Sequence, residues 1–154
     1  MSSPEQGFIK AFKEKYPTTQ IDIDTTDSKQ ITLTVQNEDV LEIAGVLRDN
    51  FGFKYPIACG AVDYPSENNI QLIYYLMNSD SKLILFLRVN LDRTNPQITS
   101  LTKVWEAMSF HEREAHEMFG IEFIEHSNLV PLLLSPDWKG GYPLRKDFKG
   151  EGLV

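Results

Sequence analysis

Apolar positions along this chain follow two periods, and the switches between them mark its elements. From Glu5 to Lys15 the spacing predicts an amphipathic helix with Phe8, Ile9 and Phe12 on one side, ended at Tyr16-Pro17 because the residue before proline disfavours helical backbone. Period two follows. Ile21 and Ile23 alternate with Asp22 and Asp24, and Ile31, Leu33 and Val35 alternate with Thr32, Thr34 and Gln36, which predicts two half-buried strands in a hairpin across Thr25 to Lys29. Asn37 suits the cap of a second helix, on which Val40, Ala44, Leu47 and Phe51 recur at helical spacing with Leu41 and Ile43 beside them, until Asn50 and Gly52 stop it.

Three further strands are predicted at Ile57 to Asp63, Ile70 to Met77 and Leu83 to Val89, the last two joined by the turn-forming run Asn78-Ser79-Asp80-Ser81. Leu83 to Leu87 is apolar at every position, so this strand is expected at the centre of the sheet with both faces covered. Leu91 to Thr99 reads as a loop and Leu101 to Ala107 as a short helix. From Ile124 onward the leucine run Leu132-Leu133-Leu134, the prolines Pro131, Pro136 and Pro143 and the pair Gly140-Gly141 predict an irregular, extended arm. Its leucines, Trp138 and Tyr142 argue for a segment that lies along another protein.

Between these parts sits Ser109 to Gly120, Ser-Phe-His-Glu-Arg-Glu-Ala-His-Glu-Met-Phe-Gly, the densest cluster of ionisable groups in the chain. Ser109 with Glu112 fits a reciprocal capping box, and Gly120 supplies the stop. Three chemistries compete for this helix. A zinc-protease pattern needs histidines four apart, whereas His111 and His116 are five apart, about 140° round a helix of ~3.6 residues per turn. Glu112 and His116 share a face and make half a metal site, with no further ligand set in sequence to complete it. General acid–base work requires a cleft, yet no phosphate loop or nucleophile motif accompanies the carboxylates, and Cys59 between Ala58 and Gly60 reads as a buried strand residue. Recognition remains: charges on a rigid helix fix the register of a partner, unless they are satisfied internally by pairs such as Arg113 with Glu117.

Composition narrows the choice. The 154 residues suit one domain, and the single cysteine excludes a self-contained iron–sulfur cluster or a four-cysteine zinc site, so a redox centre is expected on a partner. The net charge of −7 opposes non-specific binding to nucleic acid or anionic lipid, although Lys139, Arg145, Lys146 and Lys149 against Asp147 and Glu151 leave the tail locally cationic. The N-terminus has no secretory pattern and no apolar run approaches the ~20 residues of a spanning helix, so a cytoplasmic protein is expected.

Glu112-Arg113-Glu114, then Glu117-Met118-Phe119-Gly120-Ile121, Phe123 and His126, followed by Leu132-Leu133-Leu134, Pro136-Asp137-Trp138 and Pro143-Leu144-Arg145-Lys146-Asp147-Phe148, resembles the signature of the respiratory complex I 30 kDa subunit family. The likeness covers Ser109 to Phe148, about a quarter of the chain. It departs from the family at Val130 and Pro131, where an arginine pair is usual, at His116, where a tyrosine is common, and at Gly140-Gly141-Tyr142, one residue longer than the usual link.

The resemblance implies an α+β fold, a mixed sheet of about five strands packed by helices, with residues 1–123 as the domain and 124–154 as the arm. It implies a non-catalytic, hydrophilic subunit of an NADH:quinone oxidoreductase that scaffolds the quinone-site subunits on the cytoplasmic face of the membrane. No cofactor is expected on this chain; iron–sulfur clusters and a flavin or nickel–iron centre belong to other subunits. The implied partners are a 49 kDa-type large subunit and a neighbouring iron–sulfur subunit, with Glu112, Arg113, Glu114, Glu117, His126, Trp138, Arg145, Lys146 and Asp147 as partner-binding residues and the membrane reached only through partners. The arginines are the favoured contacts, since a planar fork clamps a carboxylate in two bonds. The equivalent subunit of an F420H2 dehydrogenase or a membrane-bound nickel–iron hydrogenase is the alternative. A stand-alone metallohydrolase built on Glu112 and His116 and a nucleic-acid binder using the basic tail are the contrasting readings.

Overall fold

The computed structural model describes residues 3–23 and 29–150. Its elements run α1 (Pro4–Lys15), β1 (Gln20–Ile23), β2 (Gln30–Val35), α2 (Val40–Asp49), β3 (Tyr55–Tyr64), β4 (Asn69–Asn78), β5 (Leu83–Asp92), β6 (Gln97–Thr99), α3 (Met108–Phe119) and β7 (Glu122–Ile124). The first five strands make one mixed sheet in the order β1-β2-β5-β4-β3, in which β5 pairs parallel with β2 and antiparallel with β4. The expected hairpin is present, β1 antiparallel to β2, while residues 24–28 of its turn lie outside the described residues, as does Glu151 of the basic tail. β3 forms one edge and carries Pro56 beside a register shift, a position where a missing backbone N–H is tolerated.

Alternation along the strands builds one core. Ile70, Leu72, Tyr74 and Leu76 of β4 and Leu83, Leu85, Leu87, Val89 and Leu91 of β5 face inward together with Ile31 and Leu33 of β2. Helix α2 covers them with Val40, Ile43, Ala44 and Leu47. Helix α1 adds Phe8 and Phe12, whose rings sit 5.0 to 5.8 Å from those of Phe51, Phe53 and Tyr16. Helix α3 closes the remaining end with Met108, Ala115 and Phe119. Burial of these groups stabilises the fold by roughly 25 cal/mol per Å² of apolar surface removed from water.

Four expectations are corrected. β5 is central but covered on one side only: Ile84, Phe86 and Arg88 on its other face stay half-buried, and the helices all pack on the first face. The stretch from Leu91 is not a loop. β5 continues to Asp92 because β4 reaches Asn69 opposite it, and β6 pairs in parallel with β7, a contact too distant in sequence to be seen locally. Leu101 to Ala107 forms turns rather than a helix; the Val104 carbonyl is taken by Arg48 Nη1 at 2.9 Å, and Trp105 turns inward to donate its indole N–H to the Phe53 carbonyl at 3.0 Å. Asn37 caps nothing. A 3₁₀ turn over Asn37–Asp39 precedes α2, and the Asn37 amide donates to the Gln97 carbonyl of β6 at 2.8 Å. The predicted turn after β4 does form: the Asn78 side-chain oxygen accepts from the backbone N–H groups of Asp80 and Ser81.

Gly120 ends α3 with φ +75°, and a Cβ built on it would overlap the ring of Tyr142, where the arm crosses the helix end. Gly120→Ala should therefore cost about 2 kcal/mol or more, since left-handed backbone alone costs an L-residue roughly 1–2 kcal/mol. Denaturant unfolding of the purified chain measures it, and a loss under half that figure would show that the ring moves aside freely.

Candidate functional site

Helix α3 is rich in good helix formers, Met108, Glu112, Arg113, Glu114, Ala115, Glu117 and Met118, and its inward stripe of Met108, Glu112, Ala115 and Phe119 docks against β3 and β7. The residue before it is Ala107, and no side chain caps its start. The capping box expected from Ser109 and Glu112 is absent for a physical reason: Glu112 points into the domain. Its carboxylate is fully enclosed and accepts from the Tyr74 hydroxyl at 3.1 Å, the Leu101 N–H at 2.8 Å and the Ser100 hydroxyl at 2.6 Å. Burial pushes the Glu112 carboxyl above its ordinary range, opposed by those three bonds. Glu112 is thus withdrawn from any partner surface, which corrects its expected role.

The arm is not a free extension. After β7, which spans the expected boundary at residue 124, the chain has no helix or strand through Gly150, and it folds back along α3. Glu117 is 8% exposed and accepts three consecutive backbone N–H groups, those of Leu132, Leu133 and Leu134, at 2.7 to 3.2 Å. Arg113, one turn earlier on the same side, donates from Nε to the Val130 carbonyl at 3.0 Å and from Nη2 to the Pro131 carbonyl at 2.9 Å. The two residues at which the arm departs from the family pattern therefore meet Arg113 through their backbones. Arg113 and Glu117 do not pair with each other; each holds the arm. Arg145 donates to the Phe119 carbonyl at 2.7 Å and lies 4.8 Å from the centre of the Tyr142 ring. The guanidinium groups expected to clamp a partner's carboxylate are thus bonded to this chain's own carbonyls.

Asp63 and Arg93, absent from the sequence-based site, anchor the far end. Arg93 grips Asp63 through two bonds of 2.6 and 3.0 Å and pairs with Asp147 at 2.8 Å, while the Asp63 carboxylate also accepts the backbone N–H of Lys146 at 2.8 Å. The Arg93 guanidinium holds the Asp63 carboxyl below its ordinary 3.8. One signal was available: Asp63 falls on the inward phase of Cys59 and Ala61, where a charge demands a partner.

The remaining site residues divide between internal and outward roles. His126 accepts the Asn128 N–H at Nδ1, which leaves its proton on Nε2 to donate to the Ser109 carbonyl at 3.2 Å. His116 donates from Nδ1 to the Ile121 carbonyl at 2.8 Å, so His116 and Glu112 do not converge. Trp138 donates to the Gly141 carbonyl at 2.7 Å and packs 6.2 Å from Phe148. Glu114 and the Lys146 side chain are exposed. Cys59 is buried in β3 as expected, and burial pushes its thiol well up. Between α3 and the arm a cleft of about 180 Å³ is lined by His116, Glu117, Pro131, Leu134, Trp138 and Tyr142. Among the described residues no helix is long and apolar enough to cross a membrane.

Residues 33–154 match the model of the respiratory-chain NADH dehydrogenase 30 Kd subunit family, extending the likeness from the C-terminal signature back to β2. The chain is 35% identical over 153 residues to the C subunit of the NADH-quinone oxidoreductase of Citrifermentans bemidjiense, covering 99% of this chain and 93% of the relative. It is 30% identical over 142 residues to the C subunit of the F(420)H(2) dehydrogenase of Methanosarcina mazei, covering 92% and 90%. Its fold matches a chain of the membrane-bound sulfane sulfur reductase, an archaeal respiratory membrane complex, with a TM-score of 0.85 at 22% identity over 95% of this chain and 86% of that one.

The two buried carboxylates are separable by substitution and by pH. Glu112→Gln should cost under ~1 kcal/mol at neutral pH, because an amide still accepts from Tyr74 and Leu101, whereas Glu112→Leu should cost about 3 kcal/mol or more by leaving buried donors unpaired; equal melting of both variants would contradict this. Asp63 has a folded pKa below its unfolded 3.8, so its contribution is present above that value and is lost as pH falls through the folded one. Trp138 fluorescence should report release of the arm below pH 3.8 in the native chain. A transition centred near neutrality would remove Asp63 from the account.

Proposed function

The chain belongs to the respiratory-chain NADH dehydrogenase 30 kDa subunit family, and from that membership we propose that it is a non-catalytic scaffold holding together the quinone-site subunits of a complex I-like oxidoreductase. It is a subunit of a multi-subunit oxidoreductase complex with electron-transport function. We infer the finer points from its own surfaces. One observation carries the scaffold reading: the arm satisfies its backbone on α3 and Asp63, yet leaves four of its large apolar side chains exposed while Leu132, Leu134 and Trp138 are half-buried. Leu133 is 61% exposed, Leu144 52%, Val130 45% and Tyr142 44%. A segment fixed in place with its apolar side presented to water is a docking strip, preorganised so that little ordering is needed on binding.

The partner of that strip is the 49 kDa-type large subunit, with the iron–sulfur subunit beside it. The chain's one thiol is enclosed in β3, which supports clusters and a flavin or nickel–iron centre residing on other subunits. The exposed Glu114 and Lys146 side chains are the rim charges left to set orientation, while Asp147 is paired with Arg93. Membrane attachment runs through partners, on the cytoplasmic face. The Methanosarcina mazei relative favours a second reading of the same role, in which the electron donor is F420H2 rather than NADH.

A tagged chain recovered from its own cell should bring down a large subunit and an iron–sulfur protein in equal amounts, with flavin or nickel in the preparation naming the donor branch. Leu133→Asp should reduce that recovery about tenfold or more, as loss of a central apolar anchor does, while leaving the melting of the isolated chain unchanged. Recovery as a lone monomer would sink the reading.

A further inference from the structure

The sheet has a second face that α1, α2 and α3 leave bare. Ile73, Tyr75 and Met77 of β4 and Ile84 and Phe86 of β5 point to this side; Ile73 is buried among its neighbours and the other four are half-buried, and none of them belongs to the cluster that the helices cover. Tyr75 and Phe86 meet edge to face at 5.2 Å. On the central strand of this apolar surface stands Arg88, between Thr34 of β2 and Ile73 of β4. Its Nε is buried and meets no acceptor among the described residues. The nearest amide oxygen along β5, Asn90 Oδ1, already accepts from Asn69 and Gln71. The nearest acid of the face in the sheet register, Asp22, lies two strands away on β1 and two residues along it, about 12 Å at the ordinary strand spacing and rise, and accepts from Gln20.

We propose that this helix-free face is a second docking surface, which receives from another protein of the assembly a segment with a carboxylate for Arg88 inside an apolar surround. It rests on the reading that the chain works within a larger assembly. A guanidinium with Ile73 and Phe86 on one side and Thr34 and Asn90 on the other is the mixed composition of an interface contact, and a bidentate carboxylate supplies the acceptors that the strands withhold. A polyanion is the wrong occupant, because nucleic acid or lipid headgroups need several cations and the chain carries a net charge of −7. A second copy stacked symmetrically over the centre of the sheet is disfavoured as well, since two-fold pairing brings Arg88 toward its own counterpart.

The test uses the tagged full chain in its own cell, with Arg88→Glu and Arg88→Met. Arg88→Glu should lower recovery of the partner subunits about tenfold or more and Arg88→Met by less, while both isolated chains melt with the native one. A benzophenone side chain in place of Phe86 should photocrosslink to a peptide of another subunit that contains Asp or Glu amid apolar residues. If the native chain brings down its partners and both Arg88 variants do so equally well, this inference fails while the scaffold reading stands. Melting of both variants well below the native chain makes Arg88 structural and overturns it. A crosslink to a second copy of this chain, with a dimer in sedimentation, overturns it in favour of self-association. A native chain that brings down nothing overturns the scaffold reading first.

Discussion

Backbone groups of an irregular segment lose water when they are buried and must find partners that no helix or ladder supplies; the whole C-terminal half of this protein depends on how that need is met. Here charged side chains meet it. Glu112 accepts the N–H of Leu101 and Glu117 those of Leu132 to Leu134, while Asp63 accepts that of Lys146. In the opposite sense Arg113, Arg145 and Arg48 donate to the carbonyls of Val130 and Pro131, of Phe119 and of Val104. Charge-assisted bonds of this kind are about twice as strong as neutral ones, so a few side chains fix a long stretch without secondary structure.

That arrangement divides labour between polar and apolar groups. A carboxylate that holds three amides has little left to offer a partner, and an arginine spread over two carbonyls is likewise engaged. What the arm leaves outward includes the apolar Val130, Leu133, Tyr142 and Leu144, while backbone groups of residues 130 to 134 turn in toward α3. The charges hold the arm in place, and on the proposed reading the densest ionisable cluster of the sequence acts on association indirectly, by preorganisation.

Much of the fold was legible because local period and turn chemistry agree with the final packing. The alternation of Ile31, Leu33 and Val35, the helical stripe of Val40, Ala44 and Leu47 and the Asn78 turn all take the structure that their spacing dictates. The misreadings share one cause, a distant partner. β6 exists because β7 lies beside it, the Leu101 turn is held by Glu112 and Arg48, and Asn37 is drawn off to Gln97. Leu83 to Leu87 misled differently: continuous apolar character signals a strand covered on both sides, and among the described residues helices cover only one. At the site, the charged helix and the arm were both visible in the sequence, but their contact was not. Asp63 and Arg93 are thirty positions apart and become one anchor only when β3 and β5 share a sheet.

The spacing within α3 explains how one short helix organises two segments. Glu112 and Glu117 are five residues apart, about 140° round the axis, so the first reaches the loop before the helix and the second the arm after it. Arg113 and Glu117, four apart, share the arm's side at the separation of a surface ion pair. They stay apart because the arm lies over both, offering the carbonyls of residues 130 and 131 to the cation and the amides of residues 132 to 134 to the anion. Five consecutive residues of irregular chain are thereby matched in register by one turn of helix. A surface pair contributes about 0.5 kcal/mol, whereas leaving the part-buried amides of residues 132 to 134 unmet would cost roughly 1 kcal/mol or more each, so the balance favours the clasp over the pair. The acid-rich helix that suggested an active site is the clasp that holds the arm.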